Sequence, residues 1–141
     1  MRALGVDHVL IDDGQIAAQV RQILPDGVDA ALELIGTHTL PGTLASVKVL
    51  GTACFTGMLS NEWTVKDFYP IEYLPRGVRL SAYGGGSEDL SPAVLQGFLD
   101  AVASGTATVP IGKIYAFDQI VEAHTAMESG SAAGKLVVIT D

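Results

Sequence analysis

The sequence predicts an α/β fold, a parallel sheet flanked by helices, and three observations carry that prediction. Residues 30–35 and 49–55 are largely continuous apolar runs, the pattern of strands covered on both faces, whereas half-exposed strands alternate. Helical patterns precede both runs. Each run closes on a glycine loop, at Ile35-Gly36-Thr37 and at Phe55-Thr56-Gly57, and ligands of parallel sheets collect beyond the carboxyl ends of the strands. Glycine there lets another molecule approach the backbone closely.

With 141 residues the chain has the size of one domain and can bury roughly two-thirds of its unfolded surface. Charged residues make up 17% of it, against the roughly 25% usual in soluble domains. Part of the surface is therefore expected to be hidden in a partner subunit, a homodimer being the simplest case, or in a further domain. The formal net charge of -8, with no Lys or Arg cluster, argues against binding to nucleic acid or an anionic membrane. Asp7, His8, Asp12 and Asp13 interrupt the amino terminus, leaving no signal segment, and no later apolar run reaches about 18 residues. The single Cys54 reads as a small buried hydrophobe and suits a reducing compartment. A cytoplasmic, membrane-free protein is expected.

Taken in order, residues 1–4 read as the last turn of a helix that Gly5 ends with a left-handed cap, ahead of a strand at residues 8–11. Domains seldom begin on a helix carboxyl end, which predicts an incomplete domain. Asp12-Asp13-Gly14 is a turn rather than a metal site, and Ile16, Ala17, Val20, Ile23 and Leu24 follow at helical spacing. Strand, helix and strand then make a βαβ unit with residues 29–35 parallel to residues 8–11. Glu33 stands inside the apolar run, where an unpaired carboxylate is costly, so a structural partner is expected for it. His8 and His124 read as structural; His38, just beyond a strand end, is the better placed histidine.

Residues 59–79 carry Trp63, Phe68, Tyr69 and Tyr73 among prolines and charges, the pattern either of a lid or interface arm or of a helical excursion over the sheet. A strand at 78–83 ends in Gly84-Gly85-Gly86, a turn without the lysine-serine pair of a phosphate loop. Ser91-Pro92 opens a helix with an apolar stripe of Leu95, Phe98, Leu99 and Val102. Residues 111–117 alternate as a two-faced strand, a helix opens at Asp118, and residues 136–139 form a last apolar strand after Gly134-Lys135.

This order of elements, with the strings ALGVDHVL, GVDAALELIG, VLGTACFTG, YLPRGVRLSAY and FDQIVEAHTAMESGSAAGKLVV, resembles the carboxy-terminal, cofactor-domain half of the medium-chain dehydrogenase/reductase family. It is most similar to the family's quinone oxidoreductase and zinc-type alcohol dehydrogenase-like members. The resemblance implies an incomplete Rossmann-type parallel sheet: residues 1–110 are a partial nucleotide-binding domain without its first strands and glycine-rich turn. Residues 111–141 would be a strand-helix-strand segment returning to a separate catalytic domain. It also implies a site for NADPH or NADH. Ile35, Gly36 and Thr37 match the loop beside the nicotinamide ribose, Phe55, Thr56 and Gly57 the loop that reaches the nicotinamide through its backbone, and Gly134 and Lys135 a closing turn near the cofactor.

The family's pyrophosphate turn, ribose selector and zinc ligands have no counterpart in this sequence. The resemblance therefore implies no zinc, weak or absent cofactor binding by this chain alone, and no catalytic residue that can be carried over. The function implied is hydride transfer by an NAD(P)H-dependent, quinone oxidoreductase-like enzyme acting on a small molecule, with this chain inactive alone. The rival reading is a noncatalytic Rossmann remnant that self-associates through its exposed sheet edge.

Overall fold

Apolar runs and helical stripes close into regular elements along most of the chain, and the computed structural model describes residues 5–140. They fall into two compact units, one ending at Gly85 and the other starting at Gly86.

The first unit contains helix α1 (Ile16–Ile23), strand β1 (Val28–Glu33), helix α2 (Leu40–Ser46), strand β2 (Val47–Phe55), the short helix α3 (Pro70–Tyr73) and strand β3 (Arg79–Ala82). Its sheet runs β1-β2-β3 with every pair parallel. Ala31 stands opposite Ala53 and Glu33 opposite Phe55, which in turn faces Ala82. All three strands therefore end at one edge. Leu40 and Leu44, one helical turn apart on α2, meet Val47, Ala53 and Val78 in the buried core. Leu44 is wholly buried, a burial that contributes about 2 kcal/mol.

Two expectations are corrected here. Residues 8–11 form no strand: a strand is defined by its ladder bonds, and this apolar stretch makes none with β1. Instead, Ile11 is 78% exposed and its carbonyl accepts a hydrogen bond from the Gln19 side chain at 2.9 Å. Nor do helices of the first unit cover both sheet faces among the described residues. α2 packs on β1 and β2, and α1 packs on α2, so helices cover the face carrying Ala31, Glu33 and Ala53. On the opposite face Leu32 is 69% exposed and Cys54 is only half-buried. A continuous apolar run shows that both faces are apolar; it does not supply a second helical layer.

Other expectations hold in detail. The Asp12 and Asp13 carboxylates accept hydrogen bonds from the backbone of Gly14 and Gln15, as turn residues do. Gly5 has φ +80°, while the helical turn assigned to residues 1–4 lies outside the described residues. Residues 59–79 are mostly irregular, with α3 their only helix.

The second unit contains helix α4 (Pro92–Ala103), strand β4 (Ile111–Ala116), helix α5 (Ile120–Glu128) and strand β5 (Lys135–Ile139). β4 and β5 pair in parallel, Tyr115 opposite Val138. Tyr115 and Ala123 are buried in this unit. The α4 stripe forms as its spacing predicts, but Leu95, Phe98 and Leu99 remain about half exposed. Pro92 is its first residue, although the Ser91 side chain makes no cap bond; the Ser91 carbonyl instead accepts the N–H of Val94 and of Leu95.

Candidate functional site at the strand ends

Because β1 and β2 are parallel neighbours in register, the loops that follow them emerge side by side. The loop after β2 crosses directly over the one after β1: Ser60 N–H donates to the Ile35 carbonyl at 3.0 Å. A Cβ on Gly57 would fall 2.0 Å from the Leu34 carbonyl oxygen, so only glycine permits this crossing. Gly36 adopts φ +150°, a conformation that L residues rarely take. The structure thus brings together Ile35, Gly36, Thr37, Phe55, Thr56 and Gly57.

Glu33 ties both loops at their base. Its side chain is 2% exposed and accepts the N–H of Ile35 at 2.7 Å and of Gly36 at 3.1 Å. The Thr39 hydroxyl donates to it at 2.8 Å, and the Thr43 hydroxyl donates to its second oxygen. Burial pushes this carboxyl up, but the bonds from Thr43, Gly36, Ile35 and Thr39 outweigh it and hold the group below its ordinary value of 4.5. The structural partner expected for Glu33 is therefore this set of four donors. Its main-chain carbonyl serves the other loop, accepting the N–H of Thr56 and of Gly57, each at 3.0 Å.

These bonds decide what the loops can offer a ligand. The N–H groups of Ile35, Gly36, Thr56 and Gly57 all point inward, and Tyr83 N–H occupies the Phe55 carbonyl at 3.0 Å. The Thr37 N–H and the Thr56 and Gly57 carbonyls have no hydrogen-bond partner among the described residues. Ribose hydroxyls and a carboxamide NH2 are donors that suit those carbonyls, and the carboxamide oxygen suits the N–H. The donor and acceptor set fits the nicotinamide half of a dinucleotide.

Beside this edge lies an open cavity of about 610 Å³ lined by Thr37, His38, Pro41, Trp63, Lys66 and Tyr73 among others. The segment forming its outer wall is fastened by the Thr37 hydroxyl, which donates to the Glu62 carbonyl at 3.2 Å. The Tyr73 hydroxyl is buried without a partner among the described residues. Burial raises its pKa above the ordinary 10.0, and the charge of Glu33 pushes the same way, so it stays protonated and able only to donate or accept as a neutral phenol. Sequence reasoning named Tyr73 only among the aromatics of residues 59–79 and did not single out Thr39 or Thr43. The one available signal was two threonines four residues apart, which share a helix face.

Gly134 and Lys135 lie in the second unit, where Lys135 N–H donates to the Pro110 carbonyl at 2.7 Å. Of the other candidates, His8, His38 and His124 are all exposed, and the Gly86 N–H donates to the Asp89 carboxylate at 2.9 Å, closing a turn. Among the described residues no group of three or more His, Cys, Asp or Glu side chains could hold a metal ion. The residues present do not fit a zinc site.

Comparison with known proteins identifies the chain at family level. Residues 4–138 match the family model described as zinc-binding dehydrogenase. The chain belongs to the zinc-binding dehydrogenase family. Its backbone superposes on mycobacterial Rv1454c complexed with NADPH with a TM-score of 0.74 at 26% identity, covering 99% of this chain and 44% of that one. An alcohol dehydrogenase from the archaeon Aeropyrum pernix gives a TM-score of 0.77 at 21% identity, over 99% and 38% of the two chains, and AibC gives 0.74 at 24%, over 98% and 37%. The chain thus spans less than half the length of those proteins. No curated protein matches it. The resemblance to medium-chain dehydrogenase/reductases holds at the level of superfamily and of parallel sheets flanked by helices. No helix among the described residues is long and apolar enough to cross a membrane.

Proposed function

We propose that this chain is the nicotinamide-facing part of an NAD(P)H-dependent oxidoreductase of the quinone oxidoreductase type. The observation that carries the reading is the crossing of the two strand-end loops, which leaves the Thr37 N–H and the Thr56 and Gly57 carbonyls free at the carboxyl edge of a parallel sheet. The likeness to Rv1454c, a protein whose structure holds NADPH, supports it. A bound nicotinamide supplies the hydride, so the protein's contribution is binding and placement. Ile35, Gly36 and Thr37 pass beside the ribose, and the loop of Phe55, Thr56 and Gly57 presents the Thr56 and Gly57 carbonyls to the carboxamide. On the family resemblance, Gly134 and Lys135 form the closing turn of a segment at residues 111–141 that returns to a catalytic domain, while residues 1–110 form the partial nucleotide domain.

The resemblance implies weak or absent binding by the isolated chain; with both loops already held by their own hydrogen bonds, weak binding without turnover is the outcome proposed. The test is a titration of NADPH and NADH followed by nicotinamide fluorescence, with the oligomeric state recorded on the same sample. Weak saturable binding supports the reading; no change up to millimolar cofactor contradicts it.

A second reading, self-association as a homodimer, is favoured by the open face of the first sheet. Leu32 is 69% exposed there, and the outer edge of β1 is unpaired among the described residues. Such an edge is a template for another strand. Light scattering tests it, and a monodisperse monomer contradicts it.

A further inference from the structure

We propose that Glu33 is a positioning residue: its buried carboxylate sets the loop of residues 35–37 in the form that receives the cofactor, without touching the cofactor itself. The inference rests on the cofactor reading above and goes one layer beneath it. A loop after a strand has several conformations of similar energy, and holding one costs roughly 1–2 kcal/mol per residue in backbone entropy. Here one side chain supplies the restraint. Its Oε1 takes the N–H of Ile35 and of Gly36, two successive amides of the loop, together with the Thr39 hydroxyl. Its Oε2 takes the Thr43 hydroxyl from the next turn of α2. The loop is thereby fastened to the strand before it and the helix after it at once.

This arrangement also decides which groups the loop shows to the outside. With the Ile35 and Gly36 amides turned onto the carboxylate and the Gly36 carbonyl accepting the N–H of Leu40 at 3.2 Å, the first unoccupied donor is the Thr37 N–H. The Thr39 hydroxyl donates to Glu33 and also lies 3.1 Å from the Gly36 carbonyl, holding that peptide from the other side. The carboxylate accepts all four donations at once. A glutamine can keep its oxygen on the two amides and donate its NH2 to the Thr43 hydroxyl, which then accepts, so it is a side chain without any acceptor, such as leucine, that leaves the buried amides unpaired.

The bonds provide an internal control. Residues 56 and 57 hang from the main-chain carbonyl of Glu33, which a side-chain substitution leaves in place. In Glu33→Leu the amides of Ile35 and Gly36 should exchange with deuterium about tenfold faster or more, those of Thr56 and Gly57 should exchange at the wild-type rate, and the NADPH dissociation constant should rise at least tenfold. Thr43→Val should shift the same two amides in the same direction, and Thr43→Ser, which keeps the hydroxyl, should restore them. If Glu33→Leu does not fold, the Thr43 pair makes the comparison alone. Wild-type protection of Ile35 and Gly36 in a folded variant overturns the proposal, and so does faster exchange with unchanged NADPH affinity. A wild-type chain that does not bind NADPH overturns the cofactor reading instead, and the exchange rates still decide whether Glu33 sets the loop.

Discussion

The carboxylate of Glu33 accepts the backbone N–H of Gly36 at 3.1 Å, three residues further along the same chain, inside the core rather than at its surface. A buried charge this close to a strand end is stable only because every neighbouring group donates to it.

Acid sensitivity follows from that arrangement. Burial pushes the Glu33 carboxyl up, the four hydrogen bonds outweigh it, and the folded-state pKa lies below the ordinary 4.5. A depressed pKa means that the folded state favours the ionised form. The stabilisation is therefore complete above about pH 4.5 and is lost as pH falls through the folded value. Urea denaturation at a series of pH values should show wild type losing stability on acidification, and Glu33→Gln losing less over the same interval. Parallel curves for the two would contradict this.

Leu44 separates core from surface. It is wholly buried against Val47 and Ala53, so Leu44→Ala should cost about 2–5 kcal/mol through lost contacts and the cavity left behind. Leu99, in the α4 stripe, is 50% exposed, and Leu99→Ala should fall within about 0.5 kcal/mol of wild type. Chemical denaturation of the two variants reads the contrast.

Gly57→Ala should be costly for a different reason. The added methyl would stand 2.0 Å from the Leu34 carbonyl oxygen, backbone against backbone, so one loop must move away from the other. Overpacking of this kind costs about 1–3 kcal/mol. The melting temperature should drop, and the amides of Ile35 and Ser60 should lose protection.

Self-association should respond to the open face. Leu32→Ser changes a side chain that is 69% exposed and should barely alter monomer stability, yet it should raise the dissociation constant of any dimer formed through that face. Sedimentation equilibrium measures it, and an unchanged dimer would place the interface elsewhere.

Much of this fold was legible because its signals are local. The runs that became β1, β2 and β5 are too short for a typical helix and are bounded by glycine turns, and Pro92 and Gly105 bracket α4 as start and stop signals do. The glycine loops at Gly36 and Gly57 marked the strand ends correctly because close backbone approach has few other solutions. What stayed hidden depends on partners distant in sequence. Residues 8–11 look like a strand but have no ladder beside them, and nothing in Leu32 announces that its face lacks a helical cover. Glu33 advertised a need for partners, but only the fold shows that Thr39 and Thr43 meet that need. The segment holding Trp63 and Tyr73 has no period, so its wrapping around the Thr37–His38 cavity could not be read beforehand.

The most direct test of the account is a titration of NADPH into isotope-labelled protein, followed residue by residue through its amide resonances. The account predicts saturable shifts at Thr37, Thr56, Gly57 and their neighbours, weak in affinity and confined in the first unit to the carboxyl edge of β1 and β2. Saturable shifts that miss that edge, or none up to millimolar NADPH, would contradict it.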